Sequence, residues 1–339
     1  MPHPSMNQYN YSVKKGKNMD HINISDFQIS TSISGIYRVS DISAKSSKNG
    51  NTYLKAVISD TSGSIDMICW EYDGHKPDPA SELISVVGNV GSYNGKAQFT
   101  AESYRFLTTQ ECAAIDLVKL IPTAPICVEE YKDRLCRIID SISNESLYSI
   151  CQSLFDSYWN DFITIPAAQY FHHAFLHGLL MHTVDMAELA ASAALNRPKV
   201  NRDLLLAGVL LHDIGKIHEF NRSPCTGLVT GYTEAGDLLG HAAIGFQMIG
   251  DAAKHTDADP FVASLLQYIV LTHHGDHVNR SSRQPQRVEA ELLRKLDALD
   301  SSCESCLESQ RQSYTECLDR SAAAGEQIIH RSATAHDDW

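Results

Sequence analysis

A chain of 339 residues is long enough for two domains at roughly 150 residues each. Its net charge of −13 excludes a generally basic coat, so any contact with nucleic acid must be local. With 43% hydrophobic and 20% charged residues the composition is globular rather than disordered, and no run of about 18 apolar residues suggests a membrane span. The N-terminus shows no secretory signal. Nine cysteines without one predict a soluble, reduced, cytoplasmic protein with no disulfide framework.

Residues 1–19 are polar, carry Lys14, Lys15 and Lys17, and read as a disordered arm for which Met19 is an alternative start. Short strands follow. Ser34–Val39, Asn51–Ser59, Ser64–Trp70, Glu82–Val90 and Gln98–Leu107 are each apolar-rich. Ile65, Met67 and Cys69 share one face by the period of two. Tyr93-Asn94-Gly95-Lys96 is a hairpin turn with Asn-Gly at its centre. Five strands in so short a stretch predict a small OB-like barrel over residues 20–110. That span has a net charge of −3, and its aromatics Tyr37, Tyr53, Trp70, Tyr72, Tyr93 and Phe99 divide between core and surface in a way the pattern does not fix. Residues 111–127, with Pro122 and Pro125, read as a linker.

The period then becomes helical. Val128, Tyr131, Leu135, Ile138 and Ile142 fall on one helix face, and long helical segments continue to residue 321, with breaks at Pro166, Pro198, Pro224, Pro260 and Pro285. An all-α bundle over 128–321 and a polar tail over 322–339 complete the expected organisation. Of 16 histidines, 11 lie between His172 and His277. The apolar run Leu204–Leu211 leads directly into His212-Asp213-Ile214-Gly215-Lys216. A His-Asp pair buried at the end of such a helix is unfavourable without partners. A divalent metal supplies one, and mixed nitrogen and oxygen donors suit Mn, Fe, Zn or Ni. Further donors stand at His182, His241, His273, His274 and Asp297, each beside apolar helical residues. That set suffices for two metals sharing a bridging carboxylate, an arrangement suited to phosphoester cleavage.

The order His … His-Asp … His … His-His … Asp resembles the HD-domain superfamily of metal-dependent phosphohydrolases over roughly residues 165–320. With the barrel ahead of it, and with the strings His172-His173-Ala174-Phe175, Gly178-Leu179-Leu180-Met181-His182-Thr183 and Leu239-Gly240-His241, the chain is similar to the YhaM-type 3′-5′ exoribonuclease family over about residues 28–320. The resemblance implies hydrolysis of single-stranded RNA from the 3′ end, with DNA as a second substrate. It implies two Mn²⁺ ions, with Fe, Co, Ni or Zn as alternatives. Carried over, His182, His212, Asp213 and Asp297 would hold one metal, and Asp213 would bridge to a second on His241 and His273, with His274 adjacent. The metals would activate the attacking water, and Lys216 would meet a phosphate oxygen.

Other features admit two readings. Adjacent histidines on a helix point about 100° apart, so His273 and His274 need not both ligate. His172 and His173 either stand behind the metal ligands, contact a phosphate, or belong to a helix start. Arg280, Arg283 and Arg287 either hold the RNA backbone or form a solvated face. Cys303-x-x-Cys306 reads as a helix-surface pair. A homo-oligomer is a further expectation, and no membrane partner is expected. The competing functions are a phosphohydrolase of small or cyclic nucleotides and a non-catalytic single-strand-binding module.

Overall fold

The computed structural model describes residues 21–47, 49–72, 74, 82–170, 173–274 and 287–323, the side chains of 308 and 311–323 excepted. The expected arm over 1–19 and the start at Met19 lie outside the described residues, as do His172, Arg280, Arg283, Pro285 and most of the tail.

All five expected strands form: β1 (Ser32–Ser46), β2 (Thr52–Asp60), β3 (Gly63–Cys69), β4 (Leu83–Tyr93) and β5 (Lys96–Phe106). They close into a barrel in the order β1-β2-β3-β5-β4, with β3 and β5 parallel and the other pairs antiparallel. This is the Greek-key order of a small five-stranded barrel. The strand β1 is longer than its apolar stretch because a bulge between Ser40 and Ser43, with Asp41 at φ 52°, lets it change register and continue along β2. The Asn94-Gly95 pair, both at positive φ, joins β4 to β5 with Tyr93 opposite Lys96. Ile65, Met67 and Cys69 fill the interior together with Tyr37 and Phe99. By contrast, Trp70 is 53% and Tyr93 63% exposed, and the Trp70 ring lies 4.8 Å from that of Tyr53.

After the barrel come α1 (Thr109–Cys112), α2 (Val128–Asp140), α3 (Glu145–Thr164), α4 (Gly178–Leu195), α5 (Arg202–Leu211), α6 (Lys216–Glu219), β6 (Phe220–Arg222), β7 (Val229–Tyr232), α7 (Glu234–His255), α8 (Pro260–Leu271) and α9 (Val288–Ala323). Every side chain from Leu204 to Leu211 is buried, so α5 is the axis of the helical core. It packs against α3, α4, α8 and α9. The expected break at Pro260 falls between α7 and α8, where the proline opens α8 because its missing N–H falls on the first turn.

Two expectations need correction. The helical part is not all-α: β6 and β7 form a two-stranded hairpin. Their strands are only three and four residues long, too short for a period of two to register. Nor is the chain wholly reduced, because Cys112 and Cys225 form a disulfide. They stand 113 residues apart in sequence, so no local spacing announces the pair. The exposed Cys303 and Cys306 are free, in keeping with a surface pair.

The hairpin tip and residues 111–127 meet the barrel in a third core of Leu83, Leu107, Cys112, Leu120, Ile121 and Cys225. The Thr226 hydroxyl donates to the Glu82 carboxylate beside it. The barrel is thus packed against the helical part. Leu83, fully buried there, tests how much that packing contributes. Leu83→Ala should lower unfolding stability by about 2–5 kcal/mol in a denaturant titration. A change under about 0.5 kcal/mol would mean that this core adds nothing to cohesion.

Candidate metal centre

Six helices deliver polar side chains to one buried point. The end of α5 supplies His212 and Asp213, 0% and 2% exposed. The helix α4 supplies His182, α7 supplies His241, the end of α8 supplies His273 and His274, and α9 supplies Asp297 and Asp300. The single turn α6 brings Lys216 and Glu219.

The ring nitrogens are sorted by their hydrogen bonds. His212 Nδ1 donates to the Val209 carbonyl (2.8 Å), and His273 Nδ1 donates to that of Val270 (2.5 Å). In both, a histidine just past a helix turns back on the carbonyl three residues before it. His182 Nδ1 donates to Asp300 Oδ2 (2.6 Å). His241 Nδ1 donates to Glu219, 3.0 and 3.1 Å from its two oxygens, and the His241 backbone N–H donates to the same carboxylate (2.9 Å). An acceptor on Nδ1 fixes the tautomer. Each of these four rings therefore turns Nε2, as a lone pair when neutral, toward Asp213.

Those nitrogens fall into two groups, one on each Asp213 oxygen. Around Oδ2 lie His182 Nε2 (3.7 Å) and His212 Nε2 (3.3 Å), with Asp297 Oδ1 3.5 Å from His182 Nε2. Around Oδ1 lie His241 Nε2 (3.3 Å) and His273 Nε2 (4.0 Å), with His274 Nε2 2.7 Å from His241 Nε2. Donors held at about 2.0–2.2 Å from one ion are separated by roughly 3–3.5 Å, so this spacing suits a metal.

A direct test of fit is available. His182 Nε2 and His212 Nε2 face each other at 3.2 Å, and both rings spend their Nδ1 proton elsewhere. Two lone pairs at that distance repel unless a cation or an added proton lies between them. Asp213 Oδ1 and His273 Nε2 are buried without a hydrogen-bond partner among the described residues. The Lys216 ammonium sits 2.6 Å from Asp213 Oδ2. Unpaired buried acceptors around one carboxylate are what a divalent ion satisfies.

Protonation preferences agree. Burial alone would raise Asp213, but the charges of His212 and Lys216 outweigh it and hold the carboxyl well below its usual range. Burial pushes His182 and His273 down, and burial with His241 pushes His274 down to about 4, so these imidazoles favour the neutral, ligating form. His212 moves up: burial lowers it, and the Asp213 charge more than reverses that. This is the ring that takes up a proton when no cation occupies the gap.

All seven expected donors therefore converge. His173 is 1% exposed, its Nε2 donates to Asp300 Oδ2 (2.9 Å), and it is among the residues lining a cavity beside the donors. Arg287 pairs with Glu289 at 3.6 Å. Asp300 and Glu219 escaped the sequence reading. Asp300 lies three residues after Asp297, one helical turn on the same face, which is a usable signal. Glu219 has none. Beside the donors a cavity of about 250 Å³ is lined by His182, Asp213, Lys216, His274, Asp297 and Ser301 among others.

Two glycines set this packing. Gly240, at φ 71°, kinks α7 immediately before His241, a conformation that a side chain disfavours. Gly215 lies under the second half of α7, and a Cβ there would overlap the His241 carbonyl oxygen and crowd Gly245 N at 2.8 Å. Gly215→Ala should lower stability by about 1–3 kcal/mol and weaken Mn²⁺ binding, because α7 must move. Wild-type values of both, in a urea titration and a metal-binding isotherm, would show that α7 has slack.

The HD domain family matches residues 179–302, the span holding His182, His212, Asp213, His241, His273, His274, Asp297 and Asp300. The chain is 32% identical to the 3′-5′ exoribonuclease YhaM of Listeria monocytogenes serotype 4b (strain CLIP80459) over 281 residues, 82% of this chain and 87% of that protein. It is 31% identical over an equal span to the protein of the same name from Listeria welshimeri. An alignment of 281 residues cannot be confined to the helical part and must include barrel. The likeness thus joins both halves of the fold to the donor cluster, and the chain belongs to the YhaM 3′-5′ exoribonuclease family of HD-domain hydrolases.

Proposed function

We propose that this chain hydrolyses single-stranded RNA, and DNA as a second substrate, from the 3′ end with two divalent ions, Mn²⁺ foremost. The supporting observation is the Asp213 carboxylate, buried with a separate group of donor atoms facing each of its oxygens. In this reading His182, His212, Asp213 and Asp297 hold one ion. Asp213, His241, His273 and His274 hold the other. Such ions activate the attacking water and offset charge on the phosphate.

The chain's own residues do the rest. Asp213 keeps both groups in register. Lys216, bonded to Asp213 Oδ2 and lining the cavity, would present its ammonium to a phosphate oxygen there. Arg280, Arg283 and Arg287 hold the approaching backbone in a protein whose net charge of −13 otherwise repels a polyanion. No helix among the described residues is long and apolar enough to cross a membrane.

Purified protein with Mn²⁺ and 5′-labelled RNA should give a ladder shortening from the 3′ end. Chelation should abolish it, and Asp213→Asn should slow it by more than about a hundredfold, the upper scale for losing even an outer partner of a metal site. Cleavage confined to a panel of free nucleotides would replace this reading with a small-nucleotide phosphohydrolase, and binding without turnover would leave a single-strand-binding module.

The arginine assignment has its own measurement. Each phosphate contact on a single strand adds about 0.7 to the slope of log affinity against log salt. Replacing Arg280, Arg283 and Arg287 together by Ala should weaken RNA binding, flatten that slope and leave metal content unchanged. An unaltered slope would put the RNA path elsewhere.

A further inference from the structure

Two carboxylates outside the proposed ligand set each accept from the back of a different histidine. Asp300 Oδ2 accepts from His182 Nδ1 and, from the other side, from His173 Nε2. Glu219 accepts from both the ring and the backbone N–H of His241. The other two Nδ1–H groups are held by main-chain carbonyls, which carry no full charge. His182 faces Asp213 Oδ2 and His241 faces Asp213 Oδ1, so the two carboxylates support opposite sides of the centre.

Resting on the two-metal reading above, we infer that Asp300 and Glu219 are positioning residues divided between the two ions: Asp300, steadied by His173, holds His182 for one, and Glu219 holds His241 for the other. The physics is that of a carboxylate behind a metal-binding imidazole. It fixes the Nδ1–H tautomer, locks the ring plane and makes Nε2 a stronger donor. Each side then carries one anion-backed histidine and one carbonyl-backed histidine. Both carboxylates are held in place: Glu219 is 6% exposed and bonded twice to one residue, and Asp300 is bonded by two rings. His173 thereby supports Asp300 from the side opposite His182.

The experiment is a Mn²⁺ titration of the metal-stripped full chain, counting free ion by electron paramagnetic resonance. Two sites are expected in the wild type. A single site there would overturn the two-metal reading itself, whatever the variants do. Given two, Asp300→Ala should weaken one site about 10–100-fold and leave the other within about twofold, and Glu219→Ala should do the reverse. Asp300→Asn, which keeps an acceptor oxygen without its charge, should fall between wild type and Asp300→Ala. A cycle with His212→Ala assigns the sides. With the His212 site already lost, adding Asp300→Ala should change the surviving site little, whereas adding Glu219→Ala should weaken it. Equal weakening of both sites by either carboxylate variant, or unchanged affinities, would overturn the assignment. In the metal-free protein the ¹⁵N resonances of His182 and His241 should show the Nδ1–H tautomer, lost at His182 alone in Asp300→Ala. That signature reads the positioning role independently of metal, and its presence in Asp300→Ala would sink it.

Discussion

A single buried carboxylate organises the helical half of this protein. Asp213 is 2% exposed, its cationic neighbours hold its carboxyl well below the usual range, and a charge so buried costs several kcal/mol when uncompensated. Positive charge must therefore gather around it. Lys216 supplies one ammonium, and His212 is biased toward taking a proton. The helices conform to the same need. The helices α5 and α8 end at the carboxylate, α7 bends at Gly240 to bring His241 against it, and α4 and α9 pass alongside. Burial of eight consecutive apolar residues in α5 keeps that helix in place while its C-terminal end carries the charge.

The sequence was legible where a pattern repeats or a chemical type is rare. Strands came from alternation, the β4–β5 turn from Asn-Gly, and the donor set from histidines flanking an apolar run that ends in His-Asp. What stayed hidden depends on long-range partners. A glutamate on a short helical turn reads as solvent-facing until a histidine 22 residues later is seen to fold back on it. A place behind the metal ligands was one reading open for His173, but the carboxylate it bonds lies 127 residues away and no local pattern names it. The disulfide failed to register because its two cysteines stand 113 residues apart, and the hairpin because its strands are too short for alternation to show.

The barrel's aromatics separate by the same rule that built the strands. Tyr37 and Phe99 point inward and are buried, whereas Tyr53 and Trp70 stand on the outer side at the end of the β2–β3 pair. Lys45 is opposite Tyr53 on β1, and Lys55 is engaged by Asp66 across β3 at 3.6 Å. The barrel thus offers stacking surface with little free positive charge.

The hairpin gives the molecule a mechanical property. Glu219, which carries His241 on its carboxylate, runs directly into Phe220 at the root of β6. The hairpin loop it leads to is bonded to α1 through Cys225 and to the barrel through Thr226. The path from the barrel wall to the metal-facing imidazole is thus one short stretch of chain, anchored covalently at its outer end and by hydrogen bonds at its inner end. The stretch from Glu219 to Thr226 ties the ring of His241 to the barrel wall.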